Sequence, residues 1–431
     1  MQNTDVMTRR GFHTRTLRWA AAAGLLVVGG VACGSDDKKD TKATTAPSTP
    51  AAAAATSAAT QAAAAVTSNT KAAELRTVLN GLLSEHVALA ASATGAALAG
   101  RTAQYEAVVA SLDANSVDLS KAIGSVYGAP AEQAFLPLWR KHIGFFVDYT
   151  QGTAAKDKAK QDKAVADLTQ YTQDFGAFLS SANPNLPKDT VATLVKDHVL
   201  GLKDVVDAQA AGDQAKQFAA TRMAYGHMAM IGDPLAGAIA KQFPDKFPGK
   251  ADSKAATLRS NLNLALREHT YLAARATGAA LGGREAEFKA AADALDGNSV
   301  DISKAIGSAY GMEAEKAFLP LWRKHIGFFV DYTQGVGAKD QAKADKAVAD
   351  LTGYTQDFGA FLSSANGLPK DTVAMLVKDH VLGLKNVVDA QAAGNQPKVY
   401  GELRTAMSHM QMIADPLAEA TVKKFPEKFQ G

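Results

Sequence analysis

The stretch AFLPLWRKHIGFFVDYTQG, residues 134 to 152, recurs without a change at residues 317 to 335. Inside it Phe135, Leu138, Trp139, His142, Phe145, Phe146 and Tyr149 follow i, i+3, i+4, i+7 spacing, so they share one face of an α-helix. One line of sequence thus gives both the secondary structure and the duplication. The same offset carries SVDLSKAIGS at 116 to SVDISKAIGS at 299, and VKDHVLGLK at 195 to an identical copy at 377. Residues 118–182 and 301–365 agree at 55 of 65 positions, which marks a tandem repeat rather than a chance motif.

Extending the apolar period outward gives six helices in the first copy, over about 71–99, 101–126, 131–152, 157–182, 188–210 and 213–241. Their breaks fall at Gly100, Gly128, Gly152, the run Pro184-Asn185-Leu186-Pro187 and Gly212, where the chain needs turn residues. Pro137 and Pro234 lie inside helical patterns and are expected to kink them. No stretch alternates with period two. The expectation is an all-α protein of two homologous helical-bundle domains, residues 71–250 and 253–431, closed by the matching ends KQFPDKF (241–247) and KKFPEKF (423–429). His86, His142 and His198 are 56 residues apart, so each domain reads further as three helical hairpins.

Hydrophobic residues make up 47% and charged residues 21% of the 431, with a net charge of +3. Lys and Arg are interleaved with Asp and Glu, and no basic stripe of the kind that nucleic acid requires is present. Residues 34–70 are rich in Ala, Thr, Ser and Pro, with little to bury, and read as a disordered tether. Before it, Thr8-Arg9-Arg10-Gly11-Phe12 precedes an apolar run from Trp19 to Ala32 that is short for a membrane span, and the run ends in Gly30-Val31-Ala32-Cys33-Gly34. The first motif resembles a twin-arginine export signal and the second a bacterial lipobox. The resemblance implies a signal peptide over residues 1–33 and lipid acylation of Cys33, the chain's one cysteine. The implied location is the outer face of the cell membrane.

Eight histidines outside the signal form four matched pairs, His86/His269, His142/His325, His198/His380 and His227/His409, all on apolar faces. A lone histidine on such a face is usually a core residue with hydrogen-bonded nitrogens. Four per domain are harder to satisfy, because each unsatisfied buried nitrogen costs roughly 1–3 kcal/mol. Convergence on a metal or haem would satisfy them together. HMAMIGDPLA (227–236) and HMQMIADPLA (409–418) agree at eight of ten positions, although the fifteen residues before each agree at five. Met230 and Met412, three residues after His227 and His409, therefore join the candidate ligands.

Imidazole with thioether suits copper or a b-type haem, and Trp139, Phe145, Phe146 and Tyr149 could line a haem pocket. Glu-x-x-His, His-Glu-x-x-His and Cys-x-x-Cys motifs do not occur. No catalytic residue is assigned: Asp148 and Tyr149, with Asp174 and Tyr171, could be read as acid–base groups, but carboxylates on amphipathic helices are far more often solvated or paired with nearby lysines. The run LSEHVALAASATGAALAGR through AFLPLWRKHIGFFVDYT also resembles secreted bacterial proteins labelled copper amine oxidase, which adds weight to copper. Oxidases of that name build a quinone from an Asn-Tyr motif on a β-sandwich; this chain has no Asn-Tyr, so no oxidase residue is carried over. Three expectations stand side by side. The first is a non-enzymatic copper- or haem-binding protein, and the second is a cofactor-free structural or interaction module of the cell envelope. The third is a metal-dependent oxidoreductase. The sequence identifies no protein partner.

Overall fold

A computed structural model describes residues 66–430, and the segment expected to be a signal peptide, Cys33 and most of the expected tether lie outside the described residues. Among the described residues the chain is all-α, with twelve long helices and no strand. The first repeat holds α1 (Lys71–Leu98), α2 (Thr102–Tyr127), α3 (Ala129–Ala155), α4 (Lys158–Ala182), α5 (Lys188–Ala210) and α6 (Gln214–Gln242). The second holds α7 (Lys254–Leu281), α8 (Glu285–Tyr310), α9 (Met312–Ala338), α10 (Gln341–Asn366), α11 (Lys370–Ala392) and α12 (Gln396–Lys424).

Local chemistry sets these ends. Thr70, Asp157, Asp213 and Ser253 each cap a helix by accepting a backbone N–H three residues on. Gly128 and Gly311 turn the chain between helices with φ near +90°, a region that disfavours any side chain. Pro137 and Pro234 sit inside α3 and α6, and each helix continues through its proline.

Each repeat closes into a ring of six helices in which consecutive neighbours pack and α6 returns to α1. The first helix of every hairpin also meets the others across the interior: α1, α3 and α5 in one repeat, α7, α9 and α11 in the other. This explains the 56-residue spacing of His86, His142 and His198. Equal hairpins place them at one register on three inward helices.

The repeats meet in a pseudo-two-fold manner. α1 packs on α7, α2 on α12 and α6 on α8. Arg222 of α6 reaches Glu268 and Asp301 of the second repeat, and Arg404 of α12 reaches Glu85 and Asp118 of the first at the equivalent positions. Arg76 donates to the carbonyl of Ala251, and Arg259 donates to that of Ser68, so each repeat grips the other's lead-in segment. Reciprocal pairing of equivalent residues is the signature of an isologous interface.

That grip corrects one boundary of the tether. Residues 66–70 are part of the fold: the Ser68 backbone N–H and hydroxyl both donate to the Glu419 carboxylate, and Thr67 adds a third donor. The physical reason is that Glu419, largely buried on α12, needs donors, and small hydroxyl residues in an extended segment supply them at little cost in ordering.

Candidate metal centre

The inward helices bring three histidines of each repeat together. His86 of α1, His142 of α3 and His198 of α5 are 1%, 1% and 4% exposed, so solvent does not satisfy their rings. One ring nitrogen from each lies within 4.8 Å of the other two, and His269, His325 and His380 repeat the arrangement. Ring centroids are separated by 5.2, 5.9 and 6.4 Å in the first triad and by 5.2, 5.8 and 6.5 Å in the second. Two packings of partly diverged sequence have kept one geometry.

Nε2 of His142 is 3.3 Å from Nε2 of His86, and the equivalent pair in the second repeat is also 3.3 Å apart. Two imidazoles bound to one tetrahedral ion at about 2.0–2.1 Å would hold their nitrogens about 3.3–3.4 Å apart. The same distance also allows one neutral ring to donate to the other, but that satisfies little. Both nitrogens of His198 and of His380 are buried without a partner, as are Nδ1 of His86 and Nδ1 of His269. The Trp139 carbonyl favours a proton on the His142 ring, although Nδ1 is not in hydrogen-bond geometry with an acceptor.

Burial, followed by the neighbouring imidazoles, holds His86 and His198 well below the ordinary histidine value. Burial pushes His142 down to about 3, His325 to about 3 and His380 to about 4. At neutral pH every triad is therefore three uncharged rings with lone pairs available, the form in which histidine ligates metal.

Aromatic side chains wall the triad. Trp139 meets His86 edge-on at 4.9 Å and His142 at 4.6 Å, and Tyr171 of α4 stacks on His142 at 4.9 Å. The Tyr171 hydroxyl and the Trp139 indole N–H are buried and unpartnered, as are those of Tyr354 and Trp322. The placement of Tyr171 against the triad was missed in the sequence. Its only signal there was the stripe Leu168, Tyr171, Phe175 and Leu179, which looks like ordinary core. Beside the second triad a cavity of about 110 Å³ is bounded by His269, His325, Thr277, Phe288, Phe329 and Gln334. A smaller one of about 30 Å³ touches His325 and His380 from the other side.

The fourth histidine of each repeat does not join. His227 Nε2 lies 3.1 Å from the Leu194 carbonyl, and His409 Nε2 lies 3.4 Å from that of Leu376. Met230 and Met412 are 58% and 57% exposed and point away from the triads. Helix phase is the reason. The buried face of α6 carries Phe218, Tyr225, Met228, Leu235 and Ile239, which leaves His227 about 100° and Met230 about 160° off that face. The retention of HMAMIGDPLA has other causes. Met228 and Met410 fill the core at 1% exposure, and Asp233 and Asp415 each accept a two-pronged bond from Arg76 and Arg259. Asn80 and Asn263 add a further donor to each carboxylate.

The remaining candidates behave as ordinary surface or core groups. Asp148 and Asp174 pair with Lys160 and Lys141 at 3.6 and 3.8 Å. Phe145 is only partly buried, and the Tyr149 hydroxyl donates to Asp207, away from the triad. Comparison with family models, curated proteins and solved structures gave no match.

Proposed function

We propose that this protein is an exported, lipid-anchored metal-binding protein with one three-histidine centre in each repeat. The observation that carries the reading is the doubled convergence of neutral, buried, largely unpartnered imidazoles. Leaving so many ring nitrogens unsatisfied costs roughly 1–3 kcal/mol each, whereas one ion accepts three lone pairs at once. Export and anchoring rest on the Thr8–Phe12 motif and on Cys33 at the end of the apolar run.

The site favours a small ion over haem. Two axial imidazoles on one haem iron stand about 4 Å apart, twice a metal–nitrogen bond of roughly 2 Å, with the macrocycle between them. The triad nitrogens at 3.3 Å leave no such gap, and the cavities of about 30 and 110 Å³ beside the second triad do not hold a porphyrin. An all-imidazole set suits copper or zinc. Among the described residues no carboxylate belongs to either cluster, so the ligands bring no negative charge. Burial then favours a monovalent ion such as Cu(I), or a divalent ion with an anion in the fourth position. Three protein ligands with one position free is also the arrangement of catalytic zinc sites, which keeps a metal-dependent reaction as the second reading, supported by the cavity that reaches His269 and His325.

The test is to refold the protein with Co(II) or Zn(II) and count ions per chain after gel filtration. Two ions per chain, with the intense visible bands of tetrahedral Co(II), are expected. His142→Leu should leave one. A folded wild-type protein that retains no ion would sink the proposal in favour of an envelope module without a cofactor, whether or not the variant folds.

A further inference from the structure

The histidines that the triads exclude stand among exposed methionines. Seven large hydrophobic side chains are exposed among the described residues, and five of them are methionines: Met223, Met230, Met312, Met375 and Met412. A solvated thioether contributes nothing to a core, so its position asks for another reason. Three of the five, Met223, Met230 and Met412, lie within four residues of His227 or His409 on the same helix.

In the first repeat Met223, His227 and Met230 lie at i, i+4 and i+7 on α6, three neighbours on one helix face. In the second repeat His409 keeps Met412 three residues on, but the position equivalent to Met223 is Thr405. An exposed methionine occurs on the adjacent helix instead. Met375 of α11 directly precedes Leu376, whose carbonyl lies 3.4 Å from His409 Nε2. Its own equivalent in the first repeat is Thr193, next to Leu194, whose carbonyl holds His227. His409 thus has one exposed methionine on its own helix, and a second exposed methionine stands next in the chain to the residue whose carbonyl holds its ring.

The carbonyl fixes the ring as well. A carbonyl only accepts, so in the neutral imidazole Nε2 carries the proton and Nδ1 keeps its lone pair, the same arrangement that orients metal-bound histidines in general. No hydrogen-bond partner is found for Nδ1 of His227 or His409, and neither atom is among the buried unpartnered ones. One imidazole nitrogen and two thioethers form a soft, uncharged donor set that selects Cu(I) and Ag(I) over Zn(II), Mg(II) or Ca(II).

We infer that His227 with Met223 and Met230, and His409 with Met412 and Met375, form a second class of site: an exposed position for a soft monovalent cation in each repeat. Leu194 is one helical turn before His198, and Leu376 is at the same distance before His380, so each half-buried imidazole is anchored one turn from a triad ligand. A cation taken up from solvent would stand beside the buried centre. The inference does not depend on whether the triads are occupied.

The experiment uses the full chain labelled with ¹³C at the methionine methyl groups and titrated with Cu(I) under anaerobic conditions, with Ag(I) as a redox-inert check. The methyl signals of Met223, Met230, Met375 and Met412 should shift, and that of Met312, which is exposed but lies beside neither histidine, should not. Met223→Leu with Met230→Leu, a surface change of similar volume, should remove one equivalent of Cu(I) held against a competing chelator, or weaken it at least tenfold. His227→Ala should do the same while leaving the Co(II) count of the triads at two. Unmoved methyl signals of those four methionines, or an unchanged Cu(I) count in the Leu variant, would overturn the site without touching the triad proposal. Loss of Co(II) binding with retained methyl shifts would do the reverse.

Discussion

Acidification of the metal-free protein tests the buried triads directly. Burial depresses all six rings, with His142 and His325 at about 3 and His380 at about 4. Unfolding returns each ring to a value near 6.5, so below that pH the unfolded chain binds protons that the folded chain refuses. Stability is then fully present above about pH 6.5. It is lost as pH falls towards the folded values of about 4 for His380 and about 3 for His142 and His325. One pH unit below 6.5, each ring costs about 1.4 kcal/mol. Six rings together cost on the order of 8 kcal/mol at pH 5.5, comparable with the whole stability of a typical domain, about 5–15 kcal/mol. Urea unfolding followed by far-UV circular dichroism at pH 7.5, 6.5 and 5.5 should show a loss of about 2 kcal/mol over the first step and about 6 kcal/mol over the second. An ion held by the triads should move the loss to lower pH, adding about 4 kcal/mol per site at a thousandfold excess over its Kd. A urea midpoint that stays flat from pH 7.5 to 5.5 would refute the reasoning, because it would mean that the rings are solvated or already protonated in the native state.

Two further outcomes follow from the packing and from the leader. Arg404→Ala should destabilise the chain by about 3–5 kcal/mol, because it strands the buried Glu85 carboxylate across the repeat interface; thermal unfolding would measure it, and a change below about 1 kcal/mol would show that the inter-repeat pair is only a surface bridge. Cys33→Ser should shift the protein from the membrane fraction to the soluble or secreted fraction of the producing cell, and continued membrane retention would remove lipid acylation as the anchor.

The six helices of each repeat were legible because a long helix writes its buried face into the sequence every three or four residues. The stretch at 134–152 shows that stripe twice, and Gly128, Gly152 and Pro187 mark ends that the structure places within a few residues. The candidate centre was only partly legible. His86, His142 and His198 announced themselves by inward position and equal spacing, but their convergence depends on α1, α3 and α5 meeting across the interior, which no local pattern states. His227 and Met230 misled because both adjoin apolar residues in sequence. Helix phase, fixed by which neighbours α6 packs against, turned them outward and left Met228 in the core. The docking of Ser68 on Glu419 was invisible, since the partners are 351 residues apart.

The sequence by itself determined the helices, the duplication and the set of histidines available for chemistry, because periodicity and repetition are local properties of the chain. Tertiary structure decided which three of every four histidines converge and that the fourth bonds a backbone carbonyl of the neighbouring helix instead. It also made the repeats grip one another through exchanged arginines. Those outcomes depend on the rotation and register of whole helices about their axes, which packing selects only when all the helices are in place.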